Sequence, residues 1–305
     1  MPARIIDGRA LADSIRRDIA ARTKALRSKG RSPRLDAVLV GSADNASRLY
    51  AHNQGKTCAE LGIEYKLHEI AGEPGETPAE VFDHIAGRVL LLNTQPGVSG
   101  IMVHMPLPEG IDPYLIQRLI DPDKDVEGVN PANIGNIVYG RSSLAPCTGL
   151  AAVKMIESVL APTAAPANSE NDLRGKLAVV IGASDVVGKP IAVMLMRRDA
   201  TVVSCNKWTP GLADLTRRAD ILVAAVGKAD LITADMVKPG AIVIDVGVNR
   251  VPGPDGKSRT VGDVCFDAVR ERLGDSGWIS PVPGGVGPMT VAMLLLNVVE
   301  AAERA

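Results

Sequence analysis

The stretch LAVVIGASDVVGKP at residues 177–190 predicts a buried strand, a turn that contains glycine, and the start of a helix. In that turn Gly182 allows the sharp change of direction, and Gly188 allows the helix to pack closely on the strand. Backbone amides at the first turn of such a helix can bind a pyrophosphate. The stretch is not a full G-x-G-x-x-G match, because Ser184 and Val187 occupy two of the glycine positions. Nucleotide binding is one interpretation, and a plain glycine-bearing turn between strand and helix is the other.

Strands and helices alternate on both sides of this stretch. Apolar runs typical of buried strands lie at 35–40, 65–70 and 100–105 before it and at 201–204, 221–226 and 241–246 after it. Residues 161–171 are small, polar and rich in proline, which predicts a surface loop. The alternation predicts an α/β fold with parallel strands joined by crossover helices, and 305 residues are enough for two domains. Ligands of such sheets bind beyond the carboxyl ends of the strands, so we expect the site in loops such as 121–128.

The composition argues against several classes of partner. With 46% hydrophobic and 23% charged residues and a formal net charge of −1, the chain gives no reason to expect nucleic acid or an anionic membrane surface. No stretch approaches the roughly 20 apolar residues of a membrane helix, and the N-terminus lacks the apolar segment of a secretory signal. The cysteines at 58, 147, 205 and 265 lack the spacing of a zinc site or a C-x-x-C pair. We therefore expect free thiols, no metal and a cytoplasmic location.

The strand after the glycine turn indicates which dinucleotide would bind. An NAD site usually carries Asp or Glu about 20 residues beyond the turn, where the carboxylate binds the ribose 2′-hydroxyl. Here the strand ends in Ser204-Cys-Asn-Lys-Trp208, which contains no acid, and Lys207 would suit a 2′-phosphate. The pattern favours NADP over NAD, although a lysine at this place is also common as an ordinary surface residue.

A second segment rich in proline and glycine is more specific than the turn. In Ser280-Pro-Val-Pro-Gly-Gly-Val-Gly-Pro-Met-Thr290, prolines and glycines fix a loop whose amides can face a ligand. This segment resembles the signature of the bifunctional methylenetetrahydrofolate dehydrogenase/cyclohydrolase family, the FolD type. Further motifs similar to that family follow in the same order along nearly the whole chain: Ser47-x-x-Tyr50, Pro106-Leu-Pro108, Pro122-Asp-Lys-Asp125-Val-Glu-Gly128, Pro146-Cys-Thr148, Gly182-Ala-Ser184, Ala225-Val-Gly-Lys228 and Asp245-Val-Gly-Val-Asn249.

The resemblance implies a fold and a reaction. It implies two three-layer α/β/α domains, the second Rossmann-like, with an active-site cleft between them, and a homodimer. Residues 1–148, completed by a C-terminal helix at 288–305, would form the folate-binding catalytic domain, and 149–287 would bind NADP. The family's reaction removes a hydride from the methylene bridge between N5 and N10 of 5,10-methylenetetrahydrofolate. A second activity of the family hydrolyses the resulting methenyl cation to 10-formyltetrahydrofolate.

The resemblance also implies roles for individual residues. The family tyrosine that matches Tyr50 stacks on the aminobenzoyl part of the folate, and the aspartate that matches Asp125 binds the pterin NH and amino groups. The alternative interpretation of Tyr50 is a half-buried tyrosine on a helix, and that of Asp125 is an acid at a turn, neither with a role in binding. The other residues expected at the folate are Val103, Met105, Pro283, Gly284, Gly285 and Val286. Those expected at the cofactor are Thr148, Gly182, Ala183, Ser184, Val187, Gly188, Lys207, Gly227, Val248, Gly287 and Thr290.

The chain departs from the family among the candidate catalytic residues, which are Gln54, His104, Asp125 and Lys56. The family motif reads Tyr-x-x-x-Lys, which places an ammonium one helical turn from the tyrosine, and here that position is Gln54. A glutamine amide does not titrate, so it cannot act as a general acid or base. The family strand usually ends Val-Gln-Leu-Pro, and this chain has His104 in place of that glutamine.

Three interpretations of these departures stay open. His104 either fills the space beside Gln54 or supplies the titrating group, since the pKa of histidine lies near neutrality. Lys56 is a further candidate for that role, although two residues along a helix place it on a different side.

The departures determine the predicted function. Hydride transfer needs alignment of the methylene carbon more than acid–base help, so we expect NADP-dependent oxidation to persist and hydrolysis to be weak or absent. One alternative is an intact bifunctional enzyme in which His104 replaces the lysine. Another is a folate- or nucleotide-binding protein without turnover. A different reduced pterin also stays open as the substrate, because Asp125 would recognise the ring and not the tail.

Overall fold

The structure is a computed structural model that describes residues 1–41, 45–72, 75–141, 144–160, 173–253 and 257–304. The surface loop predicted at 161–171 lies outside these residues. The chain divides into two compact units: the N-terminal unit, Ser14–Ala145 with Leu294–Ala305, and the C-terminal unit, Met1–Asp13 with Pro146–Met293. This division differs from the predicted bounds, 1–148 with 288–305 and 149–287, mainly in the first residues of the chain, which pack with the second half.

The helices and strands are numbered along the chain. The first half contains β1 (Arg4–Ile5), α1 (Gly8–Ser28), β2 (Arg34–Val40), α2 (Asn45–Glu60), β3 (Glu64–Ile70), α3 (Pro78–Asn93), β4 (Gly100–Val103), α4 (Pro113–Gln117) and α5 (Pro131–Tyr139). The second half contains α6 (Cys147–Leu160), β5 (Leu177–Ile181), α7 (Gly188–Met196), β6 (Thr201–Cys205), α8 (Leu212–Thr216), β7 (Ile221–Ala224), a 3-10 turn (Ala234–Met236), β8 (Ile242–Asp245), β9 (Asn249–Pro252), β10 (Ser258–Val261), α9 (Phe266–Leu273), β11 (Trp278–Ile279) and α10 (Val286–Arg304). The seven predicted strands, which are the one at 177–181 and the six apolar runs on either side of it, are confirmed as β2 to β8, although β4, β7 and β8 are shorter than the runs that predicted them.

The N-terminal unit is built on three parallel strands in the order β3-β2-β4. Thr77 caps the N-terminus of α3 through a capping box with Glu80, as the sequence Thr-Pro-Ala-Glu predicts. The buried face of this helix, including Ile85 and Val89, packs in one apolar cluster with Val38 of β2. Because β3 and β4 lie on opposite sides of β2, the carboxyl end of β2 is a place where such a sheet binds ligands.

The C-terminal unit contains six parallel strands in the order β1-β11-β8-β7-β5-β6. Strand β1 pairs with β11, which explains why the start of the chain belongs with the second half. From β5 the chain forms β6 on one side and then crosses to β7 on the other, so the carboxyl ends of β5 and β7 flank the expected ligand crevice. Buried apolar side chains such as Val179, Leu222 and Val243 form the core. The predicted α/β fold with parallel strands is confirmed.

The last helix, α10, contributes residues to both units. Among the described helices it alone is long and apolar enough, by length and composition, to cross a membrane. No such helix was predicted anywhere in the chain. However, 61% of its most apolar window is buried inside the protein. In the N-terminal unit the side-chain amide of Asn297 donates hydrogen bonds to the carbonyls of Val126 (2.8 Å) and Ala145 (3.3 Å). Such burial and hydrogen bonding are typical of a helix in a protein core.

The cysteines form no disulfide. Cys58, Cys147 and Cys205 are buried and Cys265 is partly buried, and none of the four is disulfide-bonded, which confirms that prediction. Within the described ranges, no group of three or more His, Cys, Asp or Glu side chains could hold a metal ion.

Candidate functional site

The turn after β5 requires glycine at both predicted positions. Gly182 has a φ of +102°, and a Cβ on it would lie 2.1 Å from the carbonyl oxygen of Ala225. A Cβ on Gly188 would lie 1.8 Å from the carbonyl oxygen of Gly182. These distances are far below any contact that a Cβ can make, so the backbone of the turn lies directly against the loop after β7 and the start of α7.

Some amides of this turn are already used by the protein. The amide of Gly188 donates to Oγ of Ser184 at 3.3 Å, and the amide of Lys189 donates to the Ser184 carbonyl at 3.1 Å. Val187, which precedes α7, makes no side-chain cap. The amides of residues 183–187 donate to no group in the described part of the chain, so they are available to an anionic ligand.

A buried carboxylate fills the neighbouring loop after β7. Asp263 accepts hydrogen bonds from the backbone amides of Val226 (2.7 Å), Gly227 (3.0 Å) and Lys228 (2.9 Å). The side-chain amide of Asn249 donates to the same carboxylate at 2.9 Å. Successive amides that converge on one point form an anion site, and here the protein's own carboxylate occupies it. The amide of Gly227, a predicted cofactor residue, is therefore not available to a phosphate.

A second buried carboxylate, Asp245 at the end of β8, supports the first. It accepts hydrogen bonds from the amides of Gly247 (3.1 Å), Asp263 (2.9 Å) and Val264 (3.0 Å). Burial raises the pKa of Asp245 to about 6, and the hydrogen bonds from these amides oppose that rise. A Cβ on Gly262 would lie 1.8 Å from Asp245 Oδ2, so glycine leaves room for the carboxylate. Neither acid was predicted to have a role, and the signal in the sequence was Asp245 at the end of the apolar run 241–246.

The strand end expected to recognise the ribose carries a run of exposed side chains, Asn206, Lys207 and Trp208. The Nζ atom of Lys207 lies 5.0 Å from the centroid of the Trp208 ring. The Oδ1 atom of Asn206 accepts a hydrogen bond from the amide of Trp208 at 2.9 Å, which fixes the turn. Lys207 makes no ion pair with any side chain in the described ranges, so its ammonium is available to an anionic ligand.

The proline- and glycine-rich segment forms a loop against the start of α1. A Cβ on Gly8 would lie 1.9 Å from the carbonyl oxygen of Gly285, and a Cβ on Gly285 would lie 2.5 Å from that of Pro281. Gly284 has a φ of +110°, which only glycine adopts without strain. The glycines predicted at the folate are therefore required by backbone packing within the C-terminal unit, whatever else they contact.

The remaining residues expected at the cofactor and folate differ in exposure. The exposed ones are Pro283, Ser184, Gly227, Val248 and Gly287. The half-buried ones are Ala183, Val187, Thr148 and Thr290, and the buried one is Val286. Next to Thr148, a Cβ on Gly149 would lie 3.8 Å from Pro190, which places Thr148 near the start of α7. The hydroxyl of Thr290 donates to the carbonyl of Val286 at 3.1 Å, so it is used within α10.

In the N-terminal unit, Tyr50 on α2 contacts His104 directly after β4. The ring centroids are 5.9 Å apart with an interplanar angle of 88°. Tyr50 is 49% exposed, whereas His104 is 5% exposed. The His104 Nε2 atom is buried and has no hydrogen-bond partner among the described residues. Burial lowers the pKa of His104 from its ordinary value of 6.5, because an apolar environment disfavours the charged form of the imidazole.

Gln54 lies one helical turn after Tyr50 on the same side of α2. Its side chain is buried, and neither Nε2 nor Oε1 has a hydrogen-bond partner in the part of the chain that the structure describes. A buried polar group without a partner costs about 1–3 kcal/mol, and such groups commonly bind a ligand or an ordered water. Lys56 is exposed and lies two residues after Gln54 on α2, which places it on a different side of the helix.

Asp125 has one carboxylate oxygen held by the protein and one left open. Its Oδ2 atom accepts hydrogen bonds from the amide of Asn130 (2.7 Å) and the side chain of Asn133 (2.9 Å). Its Oδ1 atom is buried and has no partner among the described residues. Burial raises the pKa of Asp125, and the hydrogen bonds from Asn133 and from neighbouring amides oppose the rise. A fixed carboxylate with an open oxygen can accept hydrogen bonds from NH groups of a ligand.

A second acid, Glu127, accompanies Asp125 and was not predicted. Its Oε2 atom accepts a hydrogen bond from the amide of Val103 at 3.3 Å. Burial and the charge of Asp125 raise the pKa of Glu127 to about 7. Asp125 forms a parallel bridge with Ile101 of β4, and Glu127 follows it two residues later in a turn closed by the hydrogen bond from the Gly128 amide to the Asp125 carbonyl at 3.1 Å. That spacing was the available signal.

The two predicted folate residues at β4 differ in the surface that they offer. The side chain of Val103 is buried and its amide is used by Glu127, whereas Met105 is 42% exposed. The side chain of Met105 is therefore accessible to a ligand, whereas the side chain of Val103 packs inside the unit.

Comparison with known proteins identifies the family. Residues 6–127 match the tetrahydrofolate dehydrogenase/cyclohydrolase catalytic domain, and residues 146–305 match the NAD(P)-binding domain of the same family. The chain belongs to the tetrahydrofolate dehydrogenase/cyclohydrolase family. The family predicted from the sequence motifs is thus confirmed.

Relatives of this family match over the full length. A bifunctional protein FolD from Variovorax paradoxus is 48% identical over 305 residues, which cover 100% of this chain and 99% of the relative. The crystal structure of the bifunctional FolD methylenetetrahydrofolate dehydrogenase/cyclohydrolase from Campylobacter jejuni has 39% identity and a TM-score of 0.87, with 99% of each chain covered. FolD from Trypanosoma brucei, complexed with NADP cofactor and inhibitor, has 34% identity and a TM-score of 0.86, with 100% of this chain and 98% of that chain covered. These likenesses confirm the two-domain α/β fold with a Rossmann-like second domain.

Proposed function

We propose that this protein oxidises 5,10-methylenetetrahydrofolate to 5,10-methenyltetrahydrofolate with NADP, and that its hydrolysis of the methenyl product is weak or absent. The observation that carries the proposal is Gln54. Where resemblance to the family implies a lysine, the chain has a buried amide that cannot exchange a proton near neutral pH.

The polar groups of the N-terminal unit fit a reduced pterin. The open Oδ1 atom of Asp125 can accept hydrogen bonds from the NH and amino groups of the ring. The half-exposed ring of Tyr50 can stack on the aminobenzoyl group. The amide of Gln54 can donate to a carbonyl or accept from an NH group without changing its charge.

The C-terminal unit fits a dinucleotide. A side chain on Gly182 or Gly188 would close the turn that the pyrophosphate approaches, and both positions are glycine. Lys207 has no ion partner within the described chain and would bind the 2′-phosphate, which favours NADP over NAD. When bound, the nicotinamide accepts the hydride that leaves the folate.

The two steps of the family's chemistry make different demands on the protein. In the oxidation, the hydride leaves the methylene carbon with its electron pair, the folate nitrogens share the resulting positive charge, and no proton moves. The protein needs only to hold and align the folate, which Tyr50 and Asp125 can do. In the hydrolysis, a water that attacks the methenyl carbon must lose a proton, so a base near that carbon raises the rate. Replacing lysine by glutamine therefore lowers the rate of the hydrolysis more than the rate of the oxidation.

A second candidate function, the intact bifunctional enzyme, rests on the buried and unpartnered Nε2 atom of His104. A neutral imidazole can accept a proton, but the lowered pKa makes His104 a weaker base than an ordinary histidine. The pKa of Glu127, about 7, makes it another titratable group in the same unit. A histidine-dependent hydrolysis would show a break below pH 6.5, and one that depends on Glu127 would show it near 7.

The test is a paired assay of oxidation and hydrolysis on one purified sample. We expect NADP-dependent oxidation and a hydrolysis rate close to the spontaneous rate. The double variant Gln54→Lys, His104→Gln restores the lysine and the glutamine that the family carries at these two positions. In this variant we expect the rate of hydrolysis to rise at least tenfold. The matched control is Asn53→Lys, which adds the same charge one residue away on the exposed side of α2.

Three results would contradict the proposal. Rapid hydrolysis that His104→Asn abolishes would establish the bifunctional alternative. Binding of NADP without reduction on addition of methylenetetrahydrofolate would establish a protein without turnover. Oxidation of a different reduced pterin in preference to methylenetetrahydrofolate would change the substrate. The homodimer and the cytoplasmic location stay predictions, which molecular mass in solution and cell fractionation can test.

A further inference from the structure

Trp208 is unusual in a chain that is poor in aromatic residues. Aromatic side chains make up 3% of the sequence, and only two of the 305 residues are tryptophans. The other one, Trp278, is partly buried in β11 and has Arg4 over its ring at 5.2 Å. Trp208 is 79% exposed. A large apolar ring left in water is a candidate for contact with a ligand or a partner.

The location of Trp208 connects it to the nucleotide turn. It lies three residues after the end of β6, the parallel neighbour of β5. Ile181 and Cys205 are paired at the ends of these strands, and the amide of Gly182 donates to the Cys205 carbonyl at 2.9 Å. The turn that carries the indole is therefore bonded to the first glycine of the phosphate-binding turn.

The turn that carries the indole is fixed by its own hydrogen bonds. The amide of Asn206 donates to the hydroxyl of Thr209 at 2.9 Å, and the amide of Thr209 donates to the Asn206 carbonyl at 3.0 Å. With the bond from the Trp208 amide to Asn206 Oδ1, these contacts hold the turn closed. The indole is thus presented from an ordered backbone, which lowers the entropy lost when a ring stacks on it.

We propose that the indole of Trp208 stacks on the adenine of NADP while Lys207, the preceding residue, binds the 2′-phosphate of the same nucleoside. The adenosine lies at the end of the strand that follows the glycine turn in folds of this kind, which is where these two residues sit. Lys207 already lies against the indole, so one turn offers an aromatic face and an ammonium to one ligand. The proposal uses the cofactor of the proposed function but not its folate chemistry.

The two residues divide the recognition in a way that can be measured. Adenine is present in NADP and in NAD, so loss of the indole weakens both. Aromatic stacking on a base commonly changes affinity by one order of magnitude or more, and we expect about a tenfold loss of affinity for each dinucleotide in Trp208→Ala. Trp208→Phe keeps an aromatic face and should keep most of the affinity. Lys207→Ala should weaken NADP alone and so lower the preference for NADP over NAD.

The experiment uses the full chain with Trp278→Phe, so that Trp208 is the only tryptophan. Its fluorescence is titrated with 2′,5′-ADP, 5′-AMP and nicotinamide mononucleotide. Stacking predicts saturable quenching by 2′,5′-ADP, weaker binding with similar quenching by 5′-AMP, and none by the mononucleotide, which has no adenine. These ligands report nucleotide binding alone, so a failure of the folate proposal would not affect the result.

Two outcomes would overturn the inference. One is unchanged affinity, within twofold, for both dinucleotides in Trp208→Ala. The other is saturable binding of 2′,5′-ADP, followed by calorimetry, with no change in Trp208 fluorescence. A smaller molecular mass of Trp208→Ala in solution, with nucleotide affinity intact, would assign the indole to contact with a second copy of the chain instead.

Discussion

The buried polar side chains at the two candidate sites, one in each unit, differ in whether the protein satisfies their hydrogen bonds. In the C-terminal unit the carboxylates of Asp245 and Asp263 receive hydrogen bonds from backbone amides, and they hold the loops after β7 and β8 in place. In the N-terminal unit Gln54, His104 and Asp125 each have a buried polar atom with no partner among the described residues. The first arrangement stabilises a scaffold, and the second leaves polar surface for a ligand or water. The same kind of substitution should therefore have opposite effects on stability in the two units.

The largest effect is expected from Asp263→Asn. The amide of asparagine would turn a donor toward backbone NH groups that now bond to the carboxylate, and a buried charge-assisted network would be lost. We expect a loss of about 3 to 4 kcal/mol in the free energy of unfolding and a higher KM for NADP. Urea unfolding and steady-state kinetics measure both. The control is Asp275→Asn, which changes an exposed acid of the same unit. An equal loss of stability in that variant would show that the hydrogen bonds of Asp263 are not responsible.

The next effect has the opposite sign and depends on pH. The pKa of Glu127 rises from 4.5 to about 7 on folding, so the folded state binds more protons than the unfolded state between these values. The contribution of this group to stability therefore falls as the pH rises from about 4.5 to 7. Glu127→Gln cannot ionise, and we expect it to exceed the parent by about 3 kcal/mol at pH 8 and by little at pH 5.

Urea unfolding of the parent and of Glu127→Gln at the two pH values checks this result. Asp245 titrates in both proteins, so its contribution cancels in the difference. A difference of the same size at both pH values would show that packing, and not ionisation of Glu127, is responsible.

A smaller gain is expected from Gln54→Met. Methionine has nearly the same length and removes two buried polar atoms that have no partner in the described structure. We expect a gain of about 1 kcal/mol in the free energy of unfolding, together with weaker binding of folate. Asn53→Leu places an apolar residue on the exposed side of the same helix and should give no gain. Loss of stability in Gln54→Met would mean that ordered water satisfies the amide in the free protein.

The smallest effect concerns the titration of His104. Because burial lowers the pKa of this residue from 6.5, its imidazole resonances should shift with a midpoint below that value. Proton NMR follows the titration, and His104→Gln assigns the signals among the four histidines of the chain. A midpoint at or above 6.5 would mean that a charged group stabilises the protonated ring.

The sequence predicted those features that depend on neighbouring residues. Apolar runs gave the strands, and Gly182 and Gly188 gave the turn because a missing Cβ has a local geometric meaning. The separation of Lys56 from Gln54 also followed from helix geometry alone.

Features that depend on distant residues were beyond local patterns. The bonds from the loop after β7 to Asp263 join residues more than thirty positions apart, and no pattern in either segment predicts them. The pairing of β1 with β11 joins residues more than 270 positions apart, and the domain bounds that the resemblance implies do not include it. The raised pKa of Glu127 depends on burial and on Asp125, which only the folded chain brings about.

The division of the chain has a consequence for its synthesis on the ribosome. Strand β1 leaves the ribosome early, but its partner β11 is made near the end of translation. In the same way, the carbonyls of Val126 and Ala145 gain their hydrogen-bond donor, Asn297 of α10, only near the end of translation. Neither unit can therefore finish folding before α10 emerges, and the nascent chain exposes incomplete cores until then. A gene cut at a single point would express neither unit whole, so the two are expected to be inherited and exchanged together.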